Sequence, residues 1–269
     1  MLDLEAYFRR IGYSGSRAAT LETLAALHAL HPTAIPFENL DTLRGAPIHL
    51  DIDSLQHKLV RQRRGGYCFE QNLLFTHVLT ALGFRVVGLG ARVIWDRPAD
   101  APRGPRTHMA LLVPIGSESY LCDVGFGGLT MTGPLRLAFD GEQRTPHETF
   151  RVVREGGEYL SQANVRGDWR TLYRFDLQEQ LQADIELANF FVAQYPESPF
   201  RTRLMAARRD GGRTFKLRDS ELTIQHRDGS REQRELRDVA EVRATLDELF
   251  GIDVPVDAAL DAALARVVG

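Results

Sequence analysis

The chain has 269 residues, of which 43% are hydrophobic and 26% are charged, with a net charge of −3 and a pI of about 6.3. This length predicts two or three domains, and the lack of a basic excess argues against a nucleic-acid partner. No apolar run approaches the ~20 residues that span a bilayer. The N-terminal segment MLDLEAYFRRIGYSG also lacks the apolar stretch of a signal peptide. We therefore expect a cytoplasmic protein without a membrane partner.

Helical patterns fill the first third of the chain. Asp3 and Thr20 can cap the first two helices, and Pro32 is expected beyond the end of the second. A third helix is predicted from residue 53 or 54 to the Gly65-Gly66 pair, which should end it. A fourth is predicted over residues 68–82, with Gly83 as its stop.

Strand-like patterns follow the fourth helix. They cover residues 84–94, 107–115, 120–126, 150–162 and 169–175, and residues 96–106 between the first two form a proline-rich loop. A helical pattern returns at 177–193, a short β region follows at 214–236, and residues 239–250 and 257–267 are again helical. The chain order is therefore helices, then strands, then a mixed α/β segment.

The segment RRGGYCFEQN, residues 63–72, holds the first candidate catalytic residue. Two glycines permit a tight turn, after which Cys68 lies at the start of the fourth helix. Unpaired N–H groups and the helix dipole there favour a thiolate over a thiol, and the same amides could hold an oxyanion. Papain-like enzymes place their nucleophile in this way. The alternative interpretation of Cys68 is a buried structural cysteine.

His108 and Asp123 are the candidate base and its orienting acid. His108 begins a strand-like run after a long loop, so its side chain can face a cleft. Asp123 lies in the apolar run YLCDVGF, where a buried carboxylate needs a partner. If the two runs form adjacent antiparallel strands, Asp123 can accept a hydrogen bond from one ring nitrogen while the other faces Cys68. The alternatives are an ordinary surface or core histidine and an aspartate that caps the turn at 125–128.

Cys122 is predicted to be a small core residue. It precedes Asp123, and adjacent residues of a strand point to opposite faces, so Cys122 should not share the cleft. The two cysteines stand without a CxxC or HxxxH pattern, which predicts no metal site. No Walker A or GxGxxG motif is present to bind phosphate.

Four motifs together resemble those of the arylamine N-acetyltransferase family. The spacing also matches, with 40 positions from the cysteine to the histidine and 15 from the histidine to the aspartate. The resemblance covers the first half of the chain well and the C-terminal part weakly. The motifs are IPFENL (35–40), RGGYCFEQN (64–72), THMALLV (107–113) and DVGFGG (123–128).

The resemblance implies an α+β fold with a papain-like Cys-His-Asp core. Its parts would be an N-terminal helical bundle at 1–84 with the nucleophile, a central β-barrel-like domain at 85–190 with the histidine and aspartate, and a C-terminal α/β lid at 191–269. It also implies a ping-pong transfer from acetyl-CoA to an arylamine, arylhydrazine or hydrazide, as in xenobiotic metabolism. Acetyl-CoA would be the acyl-donor substrate, and no cofactor would be bound permanently.

Residue roles carried over by position follow from the resemblance. Cys68 would be the nucleophile, His108 the base and Asp123 the residue that orients it. Glu38 and Arg64 would form a structural acid–base pair. The apolar side chains that would line the acceptor and CoA cleft are Phe37, Val93, Phe126 and Phe200. Two further substrate-binding residues, Thr107 and Gly127, would lie near the CoA thiol end.

Three alternatives remain open at the level of the sequence. A papain- or transglutaminase-like cysteine hydrolase would use the same three residues on an amide. An amide synthase of the same family would close a macrocycle. A binding module with a decayed site is the non-enzymatic alternative. The partners expected are small molecules, and the chain would act as a monomer or a homodimer.

Overall fold

The computed structural model describes residues 1–98, 100–138 and 141–269. Its N-terminal part is helical, and side-chain caps at Asp3, Thr20 and Asp51 start three of the helices. The third predicted helix thus begins slightly earlier than expected and ends in a π-helical turn, His57–Arg61. The helices are α1 (Leu4–Ile11), α2 (Leu21–Ala34), α3 (Leu40–Leu43), α4 (Ile52–Gln56) and α5 (Cys68–Ala81).

The end of α2 differs from the prediction: Pro32 was expected beyond the end of the helix but lies inside it. Proline removes one backbone donor from a helix, and usually ends it. Here Pro32 stands in the last turn, and the amide of Ile35 still donates to the carbonyl of His31 at 2.8 Å. The helix therefore continues past the proline to Ala34.

The central part is an antiparallel eight-stranded sheet with the order β5-β4-β3-β2-β9-β8-β7-β6. Strand β5 also approaches β7, so that the sheet curls towards a barrel. The helix expected at 177–193 begins only at residue 182, because β9 extends through Glu179 between β2 and β8. The strands are β2 (Val87–Val93), β3 (His108–Ile115), β4 (Glu118–Cys122), β5 (Leu135–Arg136), β6 (Gln143–Arg144), β7 (Thr149–Glu155), β8 (Glu158–Val165) and β9 (Asp168–Glu179).

A second antiparallel sheet, with the order β1-β10-β11-β12-β13, forms the C-terminal part together with four helices. Its edge strand β1 (Phe37–Glu38) comes from the N-terminal region and pairs with β10, Phe37 opposite Ala207. The remaining elements are β10 (Met205–Arg209), β11 (Arg213–Arg218), β12 (Glu221–His226), β13 (Arg231–Glu235), α6 (Gln182–Gln194), α7 (Pro199–Thr202), α8 (Val239–Glu248) and α9 (Ala258–Val268).

Three apolar cores stabilise these layers. The first joins α1, α2 and α5 to the inner faces of β3 and β4, the second lies inside the curled sheet, and the third lies between the second sheet and α8 and α9. The α+β fold class is as predicted, whereas the domain bounds 1–84, 85–190 and 191–269 stay a prediction. Among the described residues, no helix has both the length and the apolar character needed to cross a membrane.

Candidate active site

Cys68 is the first residue of α5, and the turn before it is held by close packing. A Cβ atom on Gly65 would lie 2.1 Å from the carbonyl oxygen of Pro36, so only glycine fits there. The Glu70 carboxylate accepts a hydrogen bond from the amide of Tyr67 at 3.1 Å, which fixes the first turn of the helix. The Cys68 sulfur therefore lies at the positive end of the helix dipole.

The turn after β4 approaches the same helix start. A Cβ atom on Gly125 would lie 2.8 Å from the Cα atom of Cys68, so the glycine lets this loop come into contact with Cys68. On the other side, the Cys68 thiol donates to the carbonyl oxygen of Thr107 at 3.8 Å. Cys68 is thus enclosed by the residue that precedes β3 and the loop that follows β4.

His108 and Asp123 are paired beside the cysteine. The distance between Nε2 of His108 and Oδ2 of Asp123 is 2.7 Å, and both side chains are buried. The pair is diagonal across the β3–β4 ladder, in which Leu111 lies opposite Cys122. Because Asp123 takes Nε2, the ring's Nδ1 is left for Cys68, whose side chain contributes to the raised pKa of His108.

The electrostatics of this pair favour a charged imidazole. Burial by itself would lower the pKa of His108, but the adjacent Asp123 carboxylate and the hydrogen bond with Cys68 raise it to about 10. Burial would likewise raise the pKa of Asp123, yet the His108 ring and hydrogen bonds from Gly125 and Asn72 keep it below its usual value. At neutral pH the pair is therefore an imidazolium bound to a carboxylate.

Two further residues hold Asp123 in place, and both were missed at the level of the sequence. Asn72 donates to Oδ1 of Asp123 at 3.1 Å; it follows Cys68 by four positions, which on a helix places both on one face. His28 accepts from the backbone amide of Asp123 at 3.1 Å through Nε2. Burial lowers the pKa of His28 to about 4, so its ring is neutral and can accept. The i, i+4 spacing could have pointed to Asn72, whereas no local pattern points to His28.

Cys122 lies outside this arrangement, as predicted. Its side chain is fully buried in the core against the helices, and burial raises the pKa of its thiol far above the usual range, with a further contribution from Asp123. A thiol that stays protonated is a poor nucleophile. The structure therefore leaves Cys68 as the candidate nucleophile of the two.

Aromatic rings of the predicted substrate-binding set gather around the site. The rings of Phe37 and Phe200 are 6.3 Å apart, and Phe37 also packs on Gly127. The ring of Phe126 lies edge-on to His108 at 5.2 Å. Val93, at the end of β2, lies opposite Tyr173, whose ring in turn contacts His108 at 4.9 Å. Thr107 contacts Cys68 through its carbonyl oxygen, as described above.

The site is closed in this conformation. Cys68 is only 3% exposed, and the cavities beside His108 and beside Phe37 each measure about 10 Å³. Such a volume holds about one water molecule. A substrate can therefore reach the sulfur only after neighbouring side chains move aside.

An ionic cluster connects the IPFENL segment to the turn that precedes Cys68. Arg64 donates from Nε to Glu38 at 2.8 Å, the pair expected from the sequence. Lys58 bridges Asp41 at 2.7 Å and Glu70 at 2.6 Å. Because Glu70 also caps α5, the cluster fixes the start of the helix that carries Cys68. Among the described residues, no group of acidic, histidine or cysteine side chains could hold a metal ion.

Comparisons with known proteins agree with this geometry. The sequence model of an N-acetyltransferase family matches residues 20–259. The arylamine N-acetyltransferase of Escherichia coli (strain K12) is 46% identical over 253 residues, which are 93% of this chain and 89% of that protein. The structure of arylamine N-acetyltransferase from Mycobacterium tuberculosis superposes with a TM-score of 0.94 at 42% identity, covering 98% of this chain and 100% of that one.

A third relative extends the comparison to a ligand complex. The Mycobacterium marinum arylamine N-acetyltransferase in complex with CoA has a TM-score of 0.95 at 41% identity, with 99% and 100% of the two chains covered. The resemblance drawn from four short motifs is therefore confirmed across nearly the whole length of the protein, including its C-terminal part. The chain belongs to the arylamine N-acetyltransferase family of acyltransferases.

Proposed function

We propose that this protein transfers the acetyl group of acetyl-CoA to an arylamine, arylhydrazine or hydrazide through an acetyl-Cys68 intermediate. The observation that carries the proposal is the buried 2.7 Å pair of His108 and Asp123 beside a thiol at a helix start. The CoA complex of the Mycobacterium marinum relative supports the choice of donor.

The first half-reaction acylates the cysteine. In the resting enzyme His108 already holds the proton of Cys68, and the Cys68 thiolate attacks the carbonyl carbon of the thioester. Amide groups in the first turn of α5 stabilise the oxyanion that forms. The carbon–sulfur bond to CoA then breaks, and the CoA thiolate takes the proton from His108. One thioester replaces another, so the two states differ little in free energy and the acyl-enzyme can accumulate.

The second half-reaction returns the cysteine to its free form. The acceptor amine attacks the acetyl-Cys68 carbonyl carbon, His108 accepts a proton from the amine nitrogen, and the Cys68 sulfur leaves. Asp123 keeps the ring oriented throughout, since it binds Nε2 at 2.7 Å. An amine is a better nucleophile than water, and a closed apolar site disfavours hydrolysis.

The aromatic side chains suit a flat acceptor. Phe126 packs against His108, Phe37 packs against Phe200, and rings of this kind can stack on an aromatic amine. Because the site is closed, admission requires these rings to rotate. Val93, Thr107 and Gly127 complete the proposed substrate-binding set.

The same proposal assigns a role to each of the three parts of the chain and a cytoplasmic location to the protein. Residues 1–84 supply the nucleophile, 85–190 supply His108 and Asp123, and 191–269 supply Phe200 as part of a lid. We expect the chain to act as a monomer or a homodimer. A free catalytic thiol suits the reducing cytoplasm.

The test follows CoA release from acetyl-CoA with p-toluidine or isoniazid as acceptor. We expect release that depends on the amine, parallel lines in double-reciprocal plots, and loss of turnover in Cys68→Ala. Release at the same rate without any amine would instead indicate a hydrolase. No release with either amine from a folded protein would contradict the proposal and favour an amide synthase.

A further inference from the structure

A second cavity, of about 310 Å³, lies between the central sheet and the C-terminal sheet. Trp95 and Leu129 form its apolar side, and Arg166, Arg231 and Lys216 bring positive charge to it. None of these residues belongs to the site proposed above. The cavity is large enough to admit a small acyl group together with part of its carrier.

Lys216 is distinguished by the scarcity of lysine in this protein. The chain has 33 lysine and arginine residues together, yet lysine stands only at positions 58 and 216. Lys58 is held by two carboxylates, and the N-terminal amine pairs with Asp53 at 2.6 Å. In the described part of the chain, no carboxylate lies within ion-pair distance of Lys216, in contrast to the other two amines.

The groups that face Lys216 make its amine easier to deprotonate than that of an ordinary lysine. Glu148 lines the same cavity, but its carboxylate binds Nη1 of Arg209 at 2.5 Å. Burial lowers the pKa of Lys216 to about 8, with further lowering by Arg209, Arg231 and Arg166 and an opposing effect of Glu148. At neutral pH the uncharged fraction of such an amine is a few hundredfold larger than that of an ordinary lysine.

We propose that Lys216 is a second acyl-accepting residue of this protein, modified directly by acetyl-CoA at its side-chain amine. The neutral nitrogen attacks the thioester carbonyl carbon, and a nitrogen–carbon bond forms. The carbon–sulfur bond breaks, CoA leaves as the thiolate, and the proton lost from nitrogen passes to that thiolate or to solvent. The product is a stable amide, and the cavity loses one positive charge.

Lys216 packs against the loop that also contacts Cys68. A Cβ atom on Gly128 would lie 3.0 Å from Cε of Lys216, and three residues earlier Gly125 packs against Cys68. One short loop therefore connects the two nucleophiles. The inference rests on the proposed function only for the identity of the donor, because the attack by nitrogen does not pass through Cys68.

The experiment treats the Cys68→Ala variant with acetyl-CoA between pH 6.5 and 10. An equimolar peptide with one free lysine side chain and a blocked N-terminus serves as an internal reference. Intact-mass spectrometry counts the acetyl groups, and peptide mapping locates them. Lys216→Arg in the same background keeps the charge and removes the reactive amine. Lys58 serves as a matched control within the same molecule, because its ion pairs raise its pKa.

We expect one acetyl group on the peptide that contains Lys216 and none on Lys58. At pH 7 the reaction should be at least tenfold faster than that of the reference peptide, and its rate should level off above about pH 9. Labelling of the reference peptide without labelling of Lys216 would overturn the proposal. So would labelling of Lys216 in the wild type that disappears in Cys68→Ala.

The proposed function has a separate readout in the same samples. An acetyl group on Cys68 of the wild-type protein reports on that function, whereas acetylation in Cys68→Ala reports on Lys216 alone. If Cys68→Ala does not fold, wild-type protein alkylated at Cys68 replaces it.

Discussion

Replacing Asp123 with asparagine removes the charge that holds the His108 imidazolium and leaves the side-chain shape nearly unchanged. The pKa of His108 is raised from 6.5 to about 10 against the effect of burial, chiefly by Asp123. At ~1.4 kcal/mol for each tenfold change, this rise corresponds to about 5 kcal/mol in favour of the charged ring. Both side chains are almost fully buried, so solvent does not screen the interaction.

Without that charge, burial should bring the pKa of His108 below 6.5, and the ring should be neutral at pH 7. A neutral imidazole cannot stabilise a thiolate at Cys68 as an imidazolium does. We therefore expect Cys68 in Asp123→Asn to react with iodoacetamide at least 100-fold more slowly at pH 6.5 than in the wild type. The rate should recover at alkaline pH, where thiols ionise without help from an imidazolium.

The assay measures alkylation rates from pH 5 to 9.5 by peptide mapping, so that Cys122 is counted separately. Asp176→Asn is the matched control, since Asp176 pairs with the partly exposed Arg106 at 2.5 Å and does not contact the triad. A folded Asp123→Asn protein whose Cys68 is alkylated at the wild-type rate at pH 6.5 would refute the reasoning.

Three further changes test other parts of the structure. Cys122→Ala should retain wild-type acetyl transfer, because this thiol lies in the core; a loss above tenfold in the folded variant would show that the nucleophile is misassigned. Glu38→Ala leaves the Arg64 guanidinium buried without its nearest partner and should cost about 3 kcal/mol in urea unfolding, near the lower end for a broken buried pair because Asp41 remains 3.3 Å away. His28→Leu leaves the Asp123 amide without an acceptor and should cost about 1–3 kcal/mol, so an unchanged unfolding midpoint would contradict the hydrogen bond.

The proximity of Cys68, His108 and Asp123 was predictable because these residues stand where local patterns are strongest. Cys68 follows a glycine pair at the start of a helix, and His108 and Asp123 stand on either side of a hairpin that turns at Gly116. Hairpin strands adjacent in sequence pair by local rules, so their contact needs no knowledge of the rest of the fold.

The contacts made by His28, Phe37 and Lys58 were not predictable, because they join segments that are distant along the chain. His28 reaches Asp123 across 95 positions. Phe37 pairs with Ala207 in a two-residue strand, which is too short to produce an alternating pattern. Lys58 lies in a π-helical turn and binds two separate acidic residues, and a charged residue in a polar segment ordinarily indicates solvent exposure.

The proposed acyl-enzyme is tested most directly by intact-mass spectrometry of the wild-type protein after brief exposure to acetyl-CoA without any amine, followed by mapping of the peptide that spans residues 65–85. We predict one acetyl group on Cys68, which disappears when an arylamine is added and is absent in Cys68→Ala. A folded protein that releases CoA in the presence of the amine while Cys68 never carries the acetyl group would contradict the mechanism.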